Sequence, residues 1–223
     1  MNLYVLVSNE GKIGFESEAG LSIYFESDGK RFLFDTGITD MFIRNARKMN
    51  IDLKRLDFVV FSHSHYDHTG GFKYLKTINK PLIIAHPDVR LPGVNPSKEP
   101  KQLTENVWFL GEIPGNKSGI KDDSGIAVKI KERVVLIAGC AHSGIGNMVK
   151  YVVRLFNPEN ITVVGGFHMY AFSDEEIRDV IEIFRKNRVD IVYPGHCTGE
   201  RAVKMFLNSF EGYELKAGEI IEV

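Results

Sequence analysis

The chain has 223 residues, of which 43% are hydrophobic and 26% charged, as in an ordinary globular protein of one large domain or two small ones. Its 28 basic and 29 acidic side chains give a net charge of −1, which offers nucleic acid no overall positive field but leaves local anion binding open. The first residues carry no basic leader, and no apolar run approaches the length of a membrane span. We therefore expect a cytoplasmic protein with neither nucleic acid nor membrane as partner.

The apolar pattern predicts two similar halves, divided near residue 105, in which a hairpin precedes alternating strands and helices. In the first half we predict a strand at 3–7, a hairpin of 21–26 with 31–35, a helix at about 40–50, a strand at 56–61, a helix at 69–80, a strand at 82–85 and an irregular loop or lid at 88–102. In the second half we predict a strand at 107–110, a hairpin of 125–130 with 133–138, a helix at 144–156, a strand at 161–164, a helix from the capping box of Ser173 and Glu176 to about 187, a strand at 190–193, a helix at 198–207 and edge strands at 213–215 and 219–223.

The most informative stretch follows the strand at 56–61, where three imidazoles and one carboxylate occupy six positions: His63, His65, Asp67 and His68. Neutral histidine nitrogen and aspartate oxygen are ligands for zinc, iron and manganese. The alternate spacing of His63 and His65 lets both leave an extended backbone on the same side. Three of the chain's seven histidines lie here, so chance is a poor explanation and we predict a metal site.

Three further histidines, His142, His168 and His196, each follow the end of a predicted strand. An α/β architecture builds one site from the ends of several strands that meet at one edge of its sheets. We therefore expect these side chains to join the cluster near residue 65.

The pattern His63-x-His65-x-Asp67-His68, followed by single histidines at strand ends, resembles the metallo-β-lactamase superfamily. The resemblance includes Asp35-Thr36-Gly37 after the first hairpin and covers nearly the whole chain. It implies an α/β fold, a four-layer αβ/βα sandwich of two mixed sheets flanked by helices, formed by a single domain over residues 1–223.

The resemblance also implies two groups of metal ligands. One metal would be held by His63, His65 and His142, and a second by Asp67, His68 and His196. Asp67 would be catalytic as well. The aspartate that commonly bridges the two metals is missing, and we expect His168, which occupies that strand end, to bind one metal without bridging both. We expect one or two divalent ions, zinc first, with iron or manganese as alternatives.

Three short motifs are similar to one branch of the superfamily, that of dihydropterin ribofuranosylaminobenzene phosphate synthases and related metal-dependent hydrolases. They are Gly139-Cys-Ala-His-Ser-Gly, Gly165-Gly-Phe-His and Pro194-Gly-His-Cys-Thr-Gly. Ala19 departs from the branch, in which we expect a histidine at this position, and leaves the identity of the substrate open.

These features predict a metal-dependent hydrolase that uses metal-bound hydroxide on a phosphorylated or ester small molecule. The alternative is a transferase that joins a pterin diphosphate to an aminobenzene ribofuranosyl phosphate, as the branch implies. Two dications, one aspartate and one hydroxide leave about +2 at the centre, so we expect an anionic substrate. A redox di-iron protein and an RNA-processing nuclease rank lower, since the chain has neither a flavin-binding domain nor an appended basic domain.

Several residues keep two interpretations. His86 follows a strand end and is either a neighbour of the site or part of a structural His-Pro turn. Asp35 is interpreted as an orienter of ligands, and Cys140 and Cys197 as small buried hydrophobic residues rather than a disulfide. The stretch 143–147 opens a helix that either receives a phosphate or begins without a ligand.

Four aromatic side chains, Trp108, Phe167, Tyr170 and Phe172, could stack on a flat ring such as a pterin. Packing in the core or under the loop is the commoner role of such residues, and we expect it here.

Overall fold

The computed structural model describes residues 1–115 and 123–223. Its strands are β1 (Asn2–Val7), β2 (Ser22–Ser27), β3 (Lys30–Phe34), β4 (Phe58–Phe61), β5 (Leu82–Ala85), β6 (Val94–Pro96), β7 (Lys101–Gln102), β8 (Val107–Phe109), β9 (Gly125–Ile130), β10 (Arg133–Ala138), β11 (Asn160–Gly166), β12 (Val189–Gly195), β13 (Glu211–Gly212) and β14 (Ile220–Glu222). Its α-helices are α1 (Met41–Lys48), α2 (Tyr66–Thr69), α3 (Ile145–Phe156), α4 (Asp174–Lys186) and α5 (Glu200–Leu207).

The strands form two seven-stranded mixed sheets. The first has the order β14-β1-β2-β3-β4-β5-β6 and the second the order β13-β12-β11-β10-β9-β8-β7. Within each sheet three strands run antiparallel in sequence, β1-β2-β3 or β8-β9-β10, and three further strands continue in parallel. The prediction of two similar halves is therefore confirmed, and the ends of β3, β4 and β5 correspond to the ends of β10, β11 and β12.

Helices cover the outer face of each sheet, and the inner faces pack on each other. Phe32 of the first sheet lies in that shared core with Ile126 and Ile137 of the second, all of them fully buried. The helix α1 packs on the first sheet, while α3, α4 and α5 pack on the second. The predicted four-layer α/β sandwich is confirmed. Among the described residues no helix is long and apolar enough to cross a membrane.

The segment after the histidine cluster differs from the prediction. In place of a helix at 69–80, α2 begins earlier, at Tyr66, and continues as a 3₁₀ turn, Gly70–Tyr74. Gly71 lies close against another segment of the chain, since a Cβ there would be 2.2 Å from the Thr36 carbonyl oxygen. Farther along, Ile78 is 69% exposed, so no buried face continues the helix.

One loop prediction and one strand prediction also need correction. The segment 88–102 contains β6 and the beginning of the second sheet, β7, and is therefore a crossover between sheets rather than a wholly irregular loop or lid. The strand predicted at 213–215 lies instead at β13, which pairs with β12 through only two residues. Strands this short are defined by their neighbours, which a pattern search along one chain does not detect.

Candidate metal centre

The ends of parallel strands carry the side chains of the centre. His63 and His65 lie in the extended segment that leaves β4, and Asp67 and His68 lie in α2, the short helix that follows. Cys140 and His142 follow β10, and His196 follows β12. One sheet therefore supplies the cluster of four residues, and the other supplies three side chains from the ends of two of its strands.

The first group contains three imidazoles, His63, His65 and His142, whose ligand atoms all lie within 4.8 Å of one another. Their ring centroids are 4.6–4.7 Å apart. His63 Nε2 is buried and has no hydrogen-bond partner in the described part of the chain. A buried polar atom without a partner is costly unless a cation completes it.

The second group contains Asp67, His68, Cys140 and His196, again with one ligand atom each within 4.8 Å of the others. The Nε2 atoms of His68 and His196 are 3.1 Å apart, and Asp67 Oδ2 is 3.3 Å from His196 Nε2. Imidazole nitrogen, carboxylate oxygen and sulfur are the donors that divalent transition metals take in proteins, so both groups fit metal ions. The structure thus brings together the residues that the sequence assigned to each metal and adds Cys140, which sequence reasoning missed.

His168 lies beside these groups rather than within either. It forms a third cluster with Cys140 and Cys197, whose ligand atoms lie within 4.8 Å of one another, and its ring centroid is 4.5 Å from that of His142. Both cysteines are free, as expected. The assignment of His168 as a metal ligand therefore stays a prediction.

A buried carboxylate, Asp35, orients a ligand of each group. Asp35 Oδ2 lies 2.7 Å from His68 Nδ1 and accepts a hydrogen bond of 2.7 Å from Ser62 Oγ. Since the Ser62 hydroxyl donates to Asp35, it accepts from the ring of His63, whose Nδ1 is 2.8 Å away. Both histidines then carry their proton on Nδ1 and turn Nε2 toward the centre, as metal-ligating histidines commonly do.

The electrostatics differ among these side chains. Burial, followed by the charges of the neighbouring imidazoles, lowers the pKa of His63, which keeps that ring neutral. Burial also opposes a charged His68, but the Asp35 carboxylate outweighs it and raises the pKa of His68. For Asp67, burial is outweighed by His196 and His68, so its pKa lies below the usual value and the carboxylate is ionised at neutral pH.

His86 does not join the centre. It follows β5, in the place that corresponds to His196 after β12, and its side chain is buried. Its Nδ1 accepts a bond of 3.3 Å from the Asp88 N–H, and its Nε2 lies 4.0 Å from Glu112 Oε2. These contacts favour the structural turn over a role at the metals.

A cavity of about 380 Å³ opens beside the first group, lined by His142 and His168. One wall is the beginning of α3 with Ser143 before it, and the rest of the lining combines apolar side chains, such as Val180 and Ile183, with the carboxylates of Glu176 and Asp179. Phe167 and Phe172 contribute to the apolar part of the lining, whereas Trp108 packs against Phe156 at a centroid distance of 5.6 Å. Tyr170 is 66% exposed, with its ring 5.4 Å from that of His168.

An α/β sandwich with histidine, aspartate and cysteine gathered at its strand ends defines a recognisable class of protein. Residues 18–196 match the metallo-β-lactamase superfamily, and the chain belongs to that family. Its similarity to proteins of known name or structure extends over nearly its full length.

Two similar proteins come from Methanocaldococcus jannaschii. The first, 7,8-dihydropterin-6-methyl-4-(β-D-ribofuranosyl)-aminobenzene-5′-phosphate synthase, is 32% identical over 93% of this chain and 91% of its own length. The second, an uncharacterised protein, is 28% identical over 92% and 94%. A crystal structure described as a metal-dependent hydrolase of the β-lactamase superfamily is 32% identical, covers 100% of this chain and 99% of its own, and superposes with a TM-score of 0.83.

Proposed function

We propose that the chain is a metal-dependent hydrolase of a phosphorylated small molecule. The supporting observation is the side of the cavity formed by Ser143 and the beginning of α3, next to His142. The first-turn N–H groups of a helix have no acceptor within the helix and favour an anion. Ser143 is 2% exposed, and its hydroxyl has no hydrogen-bond partner among the described residues, which leaves it able to donate to an oxygen of the substrate.

Each residue then has a distinct task. The three histidines of the first group and the residues of the second would hold divalent ions, which supply Lewis acidity and activate water at neutral pH. Asp67 is proposed as the proton acceptor because its side chain remains 31% exposed, whereas Asp35 is fully buried. Ser143 and the first turn of α3 would bind and orient the phosphoryl group.

The test compares Ser143→Ala with Ser209→Ala, a control whose hydroxyl donates to the Met205 carbonyl within α5 and its C-terminal turn. We expect Ser143→Ala to lower kcat/KM for phosphate esters about 10- to 100-fold, which is the loss of one hydrogen bond to a charged group, and to leave uncharged esters unaffected. Release of inorganic phosphate measures the turnover of the phosphate esters, and a chromogenic leaving group measures the turnover of the uncharged esters. Turnover of lactones or thioesters, with no binding or processing of any phosphorylated compound, would reject the proposal.

A second candidate is the synthase reaction, and the similarity to the synthase from Methanocaldococcus jannaschii favours it. The name of that relative specifies a dihydropterin and a 5′-phosphate. In the cavity described above, the apolar part of the lining with Phe172 and Met169 suits a flat ring, and the side at Ser143 suits a phosphate. Incubation with a pterin diphosphate separates the two candidates, because release of diphosphate that requires an aminobenzene-type amine favours the synthase and release without it favours hydrolysis.

A further inference from the structure

The second group of ligand atoms has the dimensions of a coordination shell. Cys140 Sγ lies 3.2 Å from His68 Nε2 and 3.1 Å from His196 Nε2, and the two nitrogens are 3.1 Å apart. Asp67 Oδ2 lies 3.5 Å from His68 Nε2 and 3.3 Å from His196 Nε2. Zinc bonds of about 2.0–2.1 Å to nitrogen and 2.3 Å to sulfur place tetrahedral ligands roughly 3.3–3.6 Å apart. The observed separations are close to these values.

Hydrogen bonds on the far side of each ring explain why these nitrogens face one another. His68 Nδ1 lies against Asp35, and His196 Nδ1 lies 2.9 Å from Asn9 Oδ1. Because Asn9 Oδ1 also accepts from the Gly20 N–H, at 3.1 Å, it acts as an acceptor toward the ring of His196 as well. Both imidazoles therefore carry their proton on Nδ1, and their Nε2 lone pairs converge on Cys140 and on each other. Converging lone pairs repel unless a cation lies between them.

At the end of β11, two residues before His168, Gly166 has no room for a side chain. A Cβ placed on Gly166 would lie 2.5 Å from the Gly139 carbonyl oxygen and 2.7 Å from Cys197 Sγ. Among the described residues, the second group obtains its additional anionic donor from Cys140, which is buried at the end of β10.

We propose that the Cys140 thiolate is the fourth protein ligand of the second metal and takes the place of the missing bridging aspartate. Four protein donors close this site, whereas the three histidines of the first group leave a position open. With Asp67 and Cys140 both anionic, the second ion is neutralised and a charge of +2 remains at the three histidines. Sulfur also makes the second site select zinc over manganese, because soft thiolate disfavours hard ions. None of this depends on the identity of the substrate.

Cobalt(II) loading of the chelator-stripped protein tests the assignment, with Cys197→Ser as the matched control. We expect two equivalents of cobalt and a near-ultraviolet sulfur-to-cobalt charge-transfer band in the unmodified chain and in Cys197→Ser. In Cys140→Ser we expect the band to vanish and one equivalent to be lost. His142→Ala should lose one equivalent and keep the band. X-ray absorption of the zinc form should show one sulfur at about 2.3 Å for every two zinc ions.

Cys140→Asp separates loss of a ligand from loss of the fold. A carboxylate at this position should restore the second equivalent without the band and raise the affinity for manganese relative to zinc. The proposal is overturned if the band persists in Cys140→Ser, if Cys197→Ser abolishes it, or if the zinc form contains no sulfur ligand.

Discussion

The carboxylate of Asp35 and the imidazole of His68 are fully buried and lie 2.7 Å apart, Oδ2 to Nδ1. The same oxygen accepts a hydrogen bond from the hydroxyl of Ser62, and that hydroxyl in turn accepts one from the ring of His63 in the other group. One side chain that belongs to neither group thereby fixes the orientation of a candidate ligand in each of them. Residues in this position are known to tune metal affinity strongly.

Asp35→Asn tests this relationship. The amide group places a donor where Oδ2 accepts two hydrogen bonds, so we expect zinc affinity to fall about 10- to 100-fold at both sites. Competition with a chromogenic chelator measures the affinity of each equivalent. Asp88→Asn serves as the control, because Asp88 lies outside both groups, 3.8 Å from His86 Nδ1. Unchanged zinc affinity in Asp35→Asn would contradict the assigned role.

Metal removal should lower thermal stability, because each group joins segments of both sheets. An ion present at about 100 times its dissociation constant stabilises the folded chain by about 2.7 kcal/mol, which corresponds to about 5–10 °C in a protein of this size. Differential scanning fluorimetry with a chelator, followed by addition of zinc, measures the loss and its recovery. An identical melting temperature in both conditions would show that the groups bind no metal.

Ile183→Trp should weaken substrate binding without changing the metal content. Ile183 lines the cavity from α4, and the larger ring would occupy the space that we propose for the substrate. We expect KM to rise at least tenfold, the scale of a lost apolar contact of about 1.5 kcal/mol or more, with the metal content unchanged. Leu155→Trp, on the exposed face of α3, is the control. Equal KM values for the two variants would place the substrate elsewhere.

Phe32→Ala should be the most damaging change in the shared core. The Phe32 ring stacks between those of Phe25 and Phe58, at centroid distances of 4.8 and 4.7 Å. Its removal leaves a cavity between the sheets and should cost about 3–5 kcal/mol in the free energy of unfolding. Urea denaturation measures this cost. Ile13→Ala, which removes a fully exposed side chain, should change the free energy by less than about 0.5 kcal/mol.

Ser173→Ala should destabilise α4 by about 1 kcal/mol. The Ser173 hydroxyl accepts a bond from the Glu176 N–H, and the Glu176 carboxylate accepts one from the Ser173 N–H, as the predicted capping box requires. Thermal unfolding followed by circular dichroism measures the loss. Ser97→Ala, in the exposed crossover, is the control, and equal melting temperatures for the two variants would mean that the cap is unimportant.

The sequence predicted most of the regular structure and the chemical type of the site, for reasons that are local. Turn residues divided the hairpins, and the hairpin at 125–130 and 133–138 matches β9 and β10. Imidazoles at strand ends indicated a candidate metal centre, because few other roles need that composition. By contrast, the short strands β6, β7 and β13 exist only because a neighbouring strand offers hydrogen bonds, and no pattern within them indicates a strand.

Cys140 shows the same limit within the site. A cysteine at the end of a buried strand is usually a small packing residue, and its neighbours in sequence do not reveal where the sulfur points. Only the approach of α2 and of the residues after β12 places His68 and His196 within 3.2 Å of it. The helix predicted at 69–80 failed for a related reason, since Ile78 is 69% exposed and the tertiary structure offers the second half of that segment no surface to pack against.

The distribution of the ligands along the chain also sets the order in which the centre can assemble during synthesis. His68 and His196 are 128 positions apart, so the histidine cluster leaves the ribosome long before its last partner does. Until β12 has been added to its sheet, the histidine cluster and Asp67 are exposed and lack the geometry of the folded site, so they can bind metal ions non-specifically. An ion can therefore be held by all members of the second group only late in biogenesis, when nearly all of the strands have found their places.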